Sequence, residues 1–306
     1  MEQIIAAKSQ TLISSLDFSQ KDAPIADYIT SRQSIKIFTV GQPFKPNGVK
    51  LIRIPIQTTG AFVDMSTFTL SATVRNNDQT NALQFLGGSL GCMMQEGRVY
   101  LSNIETERVS YMGRTEAMLE RFLPWEKRVM RYNQGFGYES GNLEGNFVST
   151  SIDAHGTTKA LWSPMSLGIC QQKNYLPVAF LTNCIVELLL CGSGSDCCNT
   201  DVVTGTSGST DFQLEDVVIL VDVVNVQSSL LTSLSKHLLG GGSLTLAPKL
   251  YSTTLFSIGS SPDAQIVHAR AYTRLNSAFI SFWKNAGLGG THPGANKAVN
   301  TFYLDS

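Results

Sequence analysis

Apolar and polar residues alternate along most of the chain beyond residue 35. From Phe68 to Arg75 every even position is apolar and every odd position is polar, and Ile52, Ile54 and Ile56 follow the same period. A period of two places successive side chains on opposite faces, so these segments are predicted to be half-buried strands. Further strands are predicted near 35–40, 82–86, 98–111, 146–152, 158–162, 178–191, 243–247, 250–258, 265–273 and 277–283, with a more deeply buried one at Val217–Val226.

Two segments carry the period of a helix instead. Gly113–Leu123 has an apolar side and ends at Pro124, which cannot continue a helix. Gln227–Leu239 gathers leucines on one side and is followed by three consecutive glycines, a common helix end. The apolar side of the first helix is predicted to comprise Met118, Leu119, Phe122 and Leu123.

A segment rich in Gly, Ser, Asn and Thr, 192–211, is the best candidate for a domain boundary. About eight strands are predicted before it and about five or six after it, and eight strands with long loops are typical of a jelly roll. The predicted fold is therefore all-β, a double jelly roll, with a first roll at 31–195, a linker at 196–211 and a strand-poor second roll at 212–306. Residues 1–30 are predicted to hold a short amphipathic helix with Ile5, Leu12, Ile13 and Leu16 on one arc.

Charged residues make up 15% of the 306 residues, against about 25% in an ordinary globular protein. Because a freely solvated surface normally carries the charge, the deficit indicates extensive contacts with other chains. A monomer with a surface rich in Ser, Thr and Asn is the alternative. The net charge of −1 gives no general attraction to nucleic acid or to an anionic membrane.

The sequence also bears on the compartment. No apolar run reaches the roughly 18 residues of a spanning helix, and Met1–Ile5 lacks the basic region of a secretory signal. The six cysteines form no regular framework, which favours a reducing compartment.

No catalytic, cofactor-binding or metal-binding set is present at a typical spacing, so neither an enzymatic activity nor a cofactor is predicted. The four histidines are scattered, and His237 is interpreted as a residue that suits a helix C-terminus. Glu105 and Glu107 could form a cation or acid–base site on one strand face, although such carboxylates are usually just solvated.

Cys191, Cys197 and Cys198 form the one cysteine cluster. They are interpreted as ordinary loop thiols, with a metal or redox role as the alternative, because adjacent cysteines are poorly spaced for tetrahedral zinc. Residues 1–35 contain three basic and four acidic residues, so the basic arm with which many small capsids bind their genome is not expected.

The order of segments resembles that of double-jelly-roll major capsid proteins of tailless icosahedral DNA viruses and virus-like elements. The last matched segment is similar to the family's Ser/Arg–Leu–x–x–x–Phe–x–x–Phe strand. The matched segments are Arg98–Glu105 followed by the helix around Met118–Phe122, Trp162–Leu167, Leu176-Pro177, Asn183–Leu190, Leu214–Val226 with the helix at 227–238, and Ala269–Phe282.

The resemblance implies a non-enzymatic subunit that forms homotrimeric, pseudo-hexagonal capsomers in a virion assembled inside the host cell. It further implies contacts with neighbouring capsomers, with minor capsid proteins or an internal membrane through residues 1–30, and no sequence-specific nucleic-acid binding. The alternatives are a lectin-like β-sandwich and a cupin-like enzyme, which would need a His/Glu metal set. The lectin would use the 133–157 loop with Phe136, Tyr138, Glu139 and Glu144.

The chain departs from the family after residue 282, where 24 residues remain. A jelly roll needs two facing four-stranded sheets, so the second roll is predicted to be open. It would be closed by polypeptide from outside this sequence, with Thr301–Leu304 pairing in the seam.

Overall fold

The structure is a computed structural model that describes residues 28–39, 41–58, 60–85, 87–137, 150–198, 201–202, 206–246, 248–254 and 275–280. Strands dominate these residues and helices are few, so the predicted all-β class is confirmed. The elements are β1 (Ile29–Phe38), β2 (Leu51–Pro55), β3 (Ala61–Asn76), β4 (Met94–Leu101), β5 (Ile104–Ser110), α1 (Met112–Arg121), α2 (Trp125–Gln134), β6 (Thr157–Trp162), β7 (Cys184–Leu190), β8 (Asp201–Val202), β9 (Thr206–Ser207), β10 (Phe212–Val226) and α3 (Ser228–Leu239).

Eight of these strands form two antiparallel four-stranded sheets. The first sheet has the order β1-β10-β3-β6 and the second β2-β7-β4-β5, so the chain changes sheet at all but one of its connections. Buried side chains of both sheets join one hydrophobic cluster, with Val63 and Leu70 from the first sheet and Ile52 and Val186 from the second. Two facing sheets with this interleaved order make a jelly roll.

The alternation of apolar and polar residues in the sequence matches the alternation of buried and less buried residues in strands β2 and β3. In β3, Phe68, Leu70, Ala72 and Val74 are buried, and the polar residues between them are half-buried. In β2 only the isoleucines are buried, and their neighbours are exposed. The predictions for these two strands are confirmed.

Strand β10 does not open a second roll. Its Ile219 lies opposite Ile37 of β1 on one side and opposite Leu70 of β3 on the other. The predicted end of the first roll at residue 195 and the predicted linker at 196–211 are therefore wrong, because the roll closes only with β10. A central strand suits this apolar run, since Val217 and Val221 reach the core while pairing covers both backbone edges.

The helices agree with the sequence in part. The predicted helices at Gly113–Leu123 and Gln227–Leu239 are confirmed as α1 and α3, and His237 lies in the last turn of α3. Helix α2 was not predicted, because Pro124, which ends one helix, also occupies the N-cap of the next. None of the described helices is long and apolar enough to span a membrane.

Much of the predicted second roll lies outside the described residues, as do the helix predicted within residues 1–30 and the segment Thr301–Leu304. The described parts of the strands predicted at 243–247, 250–258 and 277–283 contain no strand. Leu246 and Tyr251 instead pack on the core of the roll.

Candidate assembly surface

Glu105 and Glu107, predicted as a possible cation or acid–base site, lie in different environments. Glu107 is buried rather than solvated, and it accepts hydrogen bonds from the amides of Gly168 at 2.7 Å and Ile169 at 3.3 Å. Burial raises the pKa of the Glu107 carboxyl. Glu105 is exposed and accepts a hydrogen bond from the Tyr100 hydroxyl at 3.3 Å. In the described part of the chain, no three His, Cys, Asp or Glu residues are grouped to hold a metal ion.

The corner formed by α1 and α2 is held to the roll by buried charges. Arg131 of α2 is 3.4 Å from Glu116 Oε2 and 3.4 Å from Glu120 Oε1, both on α1. It also donates to the Ser163 carbonyl oxygen at 3.1 Å, just after β6. One guanidinium therefore joins two helices and a loop, and it leaves the group with a net charge of −1 when both carboxyls are ionised.

The side of α1 that faces the core is polar, contrary to the prediction. Glu116 can be buried because, besides contacting Arg131, it accepts hydrogen bonds from the amides of Met165 at 2.8 Å and Ser166 at 2.7 Å. Burial raises the pKa of the Glu116 and Glu120 carboxyls. The buried residues of α1 are Met112, Gly113, Thr115, Glu116 and Glu120, whereas Met118 and Leu119 are half-buried.

The outer side of this corner exposes large apolar side chains. Phe122 is 68% exposed, Trp125 52% and Met130 62%. The ring of Phe279 lies 5.1 Å from that of Phe122, and the adjacent Ile280 is 75% exposed. We name these five residues the apolar corner. Large exposed apolar side chains mark candidate protein contacts, and aromatic anchors contribute most to such contacts.

The outer face of the second sheet has the opposite character. Arg53 lies 3.4 Å from Glu187, and Glu96 binds Arg98 at 2.5 Å and Arg108 at 2.7 Å. The arginines are partly to mostly exposed, so each pair contributes little to stability. The charges on this face already have partners, and the apolar corner is the more apolar of the two surfaces.

The lectin alternative rested on the 133–157 loop. Its Phe136 is buried and stacks on Phe85 with a centroid distance of 4.6 Å, so this aromatic ring belongs to the core. Tyr138, Glu139 and Glu144 lie outside the described residues.

Neither a protein-family profile nor a curated protein sequence matches this chain. Among solved structures, the chain is similar to the cryo-EM structure of the Sputnik virophage at 3.5 Å resolution. The identity is 10% and the TM-score 0.46, over 67% of this chain and 49% of that chain. It is similar to the Faustovirus major capsid protein, with 7% identity and a TM-score of 0.46, over 75% and 62%. It is also similar to the PBCV-1 virus capsid, with 13% identity and a TM-score of 0.43, over 66% of this chain and 44% of that chain.

These structures are a virophage, a major capsid protein and a virus capsid, and the order of segments in this chain resembles that of viral major capsid proteins. The likeness is one of fold at low identity. The chain spans about half the length of the first structures that it matches, between 44% and 49%.

Proposed function

We propose that this chain is a structural major capsid protein that acts by self-assembly and not by catalysis. The observation that carries the proposal is a complete jelly roll, from β1 to β10, with the apolar corner exposed on its outside. Jelly rolls serve in capsids, lectins and cupins. Of these, a shell subunit is the one that needs apolar surface for contacts with its own kind.

Leu246 and Tyr251 still pack on the first roll, and we propose further that the chain beyond them belongs to a second jelly roll, so that the whole is a double jelly roll. The first roll is complete at Val226, and no residue of α3 is buried. The boundary between rolls would thus lie after Tyr251 and not at 196–211.

The proposed assembly is a homotrimer in which six similar rolls make a pseudo-hexagonal capsomer of an icosahedral virion. In a closed ring, each copy presents one surface to a different surface of its neighbour. The apolar corner supplies one such surface, and the low charged fraction of 15% suits a subunit that buries much of its outside.

The remaining partners are proposed from the sequence. Residues 1–30 would contact minor capsid proteins or an internal membrane through Ile5, Leu12 and Leu16. No sequence-specific nucleic-acid binding is proposed, since this segment is not basic. The subunit would assemble in the reducing interior of the host cell and reside in the virion.

The experiment that tests the function measures the mass of the purified chain together with negative-stain microscopy. We expect about three times the chain mass of 33.3 kDa, and hexagonal particles or shells. A clean monomer at micromolar concentration would contradict the proposal and favour the lectin-like alternative, which a glycan-binding assay would then test.

Variants tie that result to the apolar corner. The double substitution Phe122→Ser with Trp125→Ser should give monomers that still unfold in one cooperative thermal transition, because both side chains are exposed. Ile104→Ser, also at an exposed apolar residue but at the turn between β4 and β5, should assemble normally. Normal assembly of the double variant would show that another surface holds the trimer.

A further inference from the structure

Three sulfur atoms meet at the start of the connection between β7 and β10. The Sγ of Cys191 is 3.5 Å from that of Cys197, which is 3.9 Å from that of Cys198. All three side chains are buried, so these thiols, predicted to be ordinary loop thiols, lie in the protein interior. Thiols pack well as small apolar groups, so contact alone does not assign them chemistry.

The backbone fixes the two nearest sulfurs from different sides. Cys191 follows the last residue of β7, and its amide donates to the Met93 carbonyl oxygen at 2.8 Å. Cys197 belongs to a turn whose amides return to the Gly194 carbonyl oxygen, at 3.2 Å from Cys197 and 2.9 Å from Cys198. The sheet therefore holds one sulfur and the loop holds the other, with five residues between them.

We propose that Cys191 and Cys197 are a latent intramolecular cross-link, which closes as a disulfide when the chain meets an oxidised small-molecule disulfide such as glutathione disulfide. The sulfurs must approach from 3.5 Å to about 2.05 Å. Rotation of two side chains, with adjustment at Gly192, can supply a shift of about 1.5 Å. Cys198 is the poorer partner for Cys197, because its sulfur is farther away and neighbouring residues can close only a small ring.

The reaction balances as a thiol–disulfide exchange. One cysteine, as its thiolate, attacks a sulfur of glutathione disulfide, forms a mixed disulfide and releases one glutathione thiolate. The second cysteine then attacks the protein sulfur of that mixed disulfide and releases the second glutathione. Two protein thiols lose two protons and two electrons, and one glutathione disulfide becomes two glutathione molecules.

The surroundings of the pair make the closure slow. The contact with Cys197 together with burial raises the pKa of Cys191, and burial raises that of Cys197. The reactive thiolate therefore forms when the loop opens transiently, and the pair remains reduced in a reducing cell. After release into an oxidising medium the bond would tie the end of β7 to the loop that leads into β10.

The test compares the full chain after incubation with glutathione disulfide and after incubation with dithiothreitol, in each case denatured and alkylated. We expect four of the six cysteines to be alkylated after oxidation and all six after reduction. Peptide mapping should find one linkage, between Cys191 and Cys197, and the oxidised protein should have the higher thermal midpoint. Alkylation of all six positions after oxidation would overturn the proposal.

Two matched serine variants assign the pair. Cys198→Ser should still lose two alkylation sites to one internal linkage on oxidation, whereas Cys191→Ser should form no internal linkage and lose at most the one site that a mixed disulfide with glutathione blocks. The opposite pattern would assign the chemistry to Cys198 and sink the proposal. If Cys191→Ser does not fold, peptide mapping of the oxidised natural chain decides, because a linkage other than 191–197 or the absence of any linkage overturns it. Neither result depends on capsid assembly.

Discussion

The hydroxyl of Ser209 donates a hydrogen bond at 2.9 Å to the side-chain oxygen of Asn76, although 133 residues separate them. Asn76 is fully buried at the end of β3, and its amide nitrogen donates to the carbonyl oxygens of Asn81 at 2.9 Å and Asp153 at 3.1 Å. One side chain therefore joins three connections at the same end of the roll. Buried amides that have all their partners fix loops relative to one another.

Asn76→Ala should destabilise the protein strongly, because it removes the hydrogen bonds that join the three connections and also the acceptor of the Asp78 amide. We expect a loss of about 3 kcal/mol of unfolding free energy in urea denaturation. The control is Asn77→Ala, whose side chain bonds Asp211 at 3.1 Å in an exposed setting and should cost less than about 1 kcal/mol. Equal effects of the two substitutions would refute the role assigned to Asn76.

Arg131→Met should release the corner of α1 and α2. Without the guanidinium, two buried carboxyls lose their cation, which typically costs about 3–5 kcal/mol. Lys127→Met, at an exposed position of the same helix, removes a charge without that penalty. Thermal unfolding of both variants measures the difference, and a midpoint for Arg131→Met equal to the control's would contradict the structure.

Glu120 should make stability fall with rising pH. Burial raises the pKa of its carboxyl, so the folded chain keeps the proton to a higher pH than the unfolded chain does. The stabilisation is complete below the unfolded pKa of about 4.3 and is lost as the pH rises through the folded pKa. Glu120→Gln stays neutral, while Arg131 retains Glu116 as a partner.

The variant should therefore unfold at a higher temperature than the natural chain near pH 8, and the gap should narrow towards about pH 5. Thermal midpoints across that interval check the sign. Glu126→Gln, at an exposed position of α2, should follow the natural chain at every pH. A gap that widens on acidification would show that the sign is wrong.

Two glycines of one loop should respond differently to alanine. A Cβ at Gly194 would collide with the Thr210 carbonyl oxygen, a backbone atom that cannot move alone. A Cβ at Gly192 would meet only Asp196 Oδ2, at 3.8 Å. We expect Gly194→Ala to cost about 2–3 kcal/mol and Gly192→Ala to be nearly neutral, as measured by chemical denaturation.

The strands and their inward faces could be predicted because burial in a sheet follows the two-residue period directly. Leu70 and Val74 are buried as that period requires. The partners of β10 could not be predicted in the same way. Pairing of Asp222 with Ser34 joins residues 188 apart, and nothing local in either segment specifies which strand lies beside it.

The helical corner shows a second limit. An apolar stripe normally marks the inward side of a helix, yet Glu116 and Glu120 face inward in α1. Their partners are Arg131, on helix α2, which the sequence did not predict because it follows Pro124, and backbone amides near residue 165. Because burial of a carboxylate depends on distant partners, the outward position of Phe122 could not be read from its neighbours in the sequence.

The central position of β10 has a consequence for biosynthesis. Its two neighbours β1 and β3 leave the ribosome early, but the strand that separates them ends only at Val226. At about 5–20 residues per second, the roughly 150 residues that follow β3 take about 8–30 s to be made. Throughout that interval the nascent sheet has a gap in its middle, and such late, long-range closure is slow and open to aggregation. The time for which the unfinished sheet is exposed is therefore set by the place of its last strand.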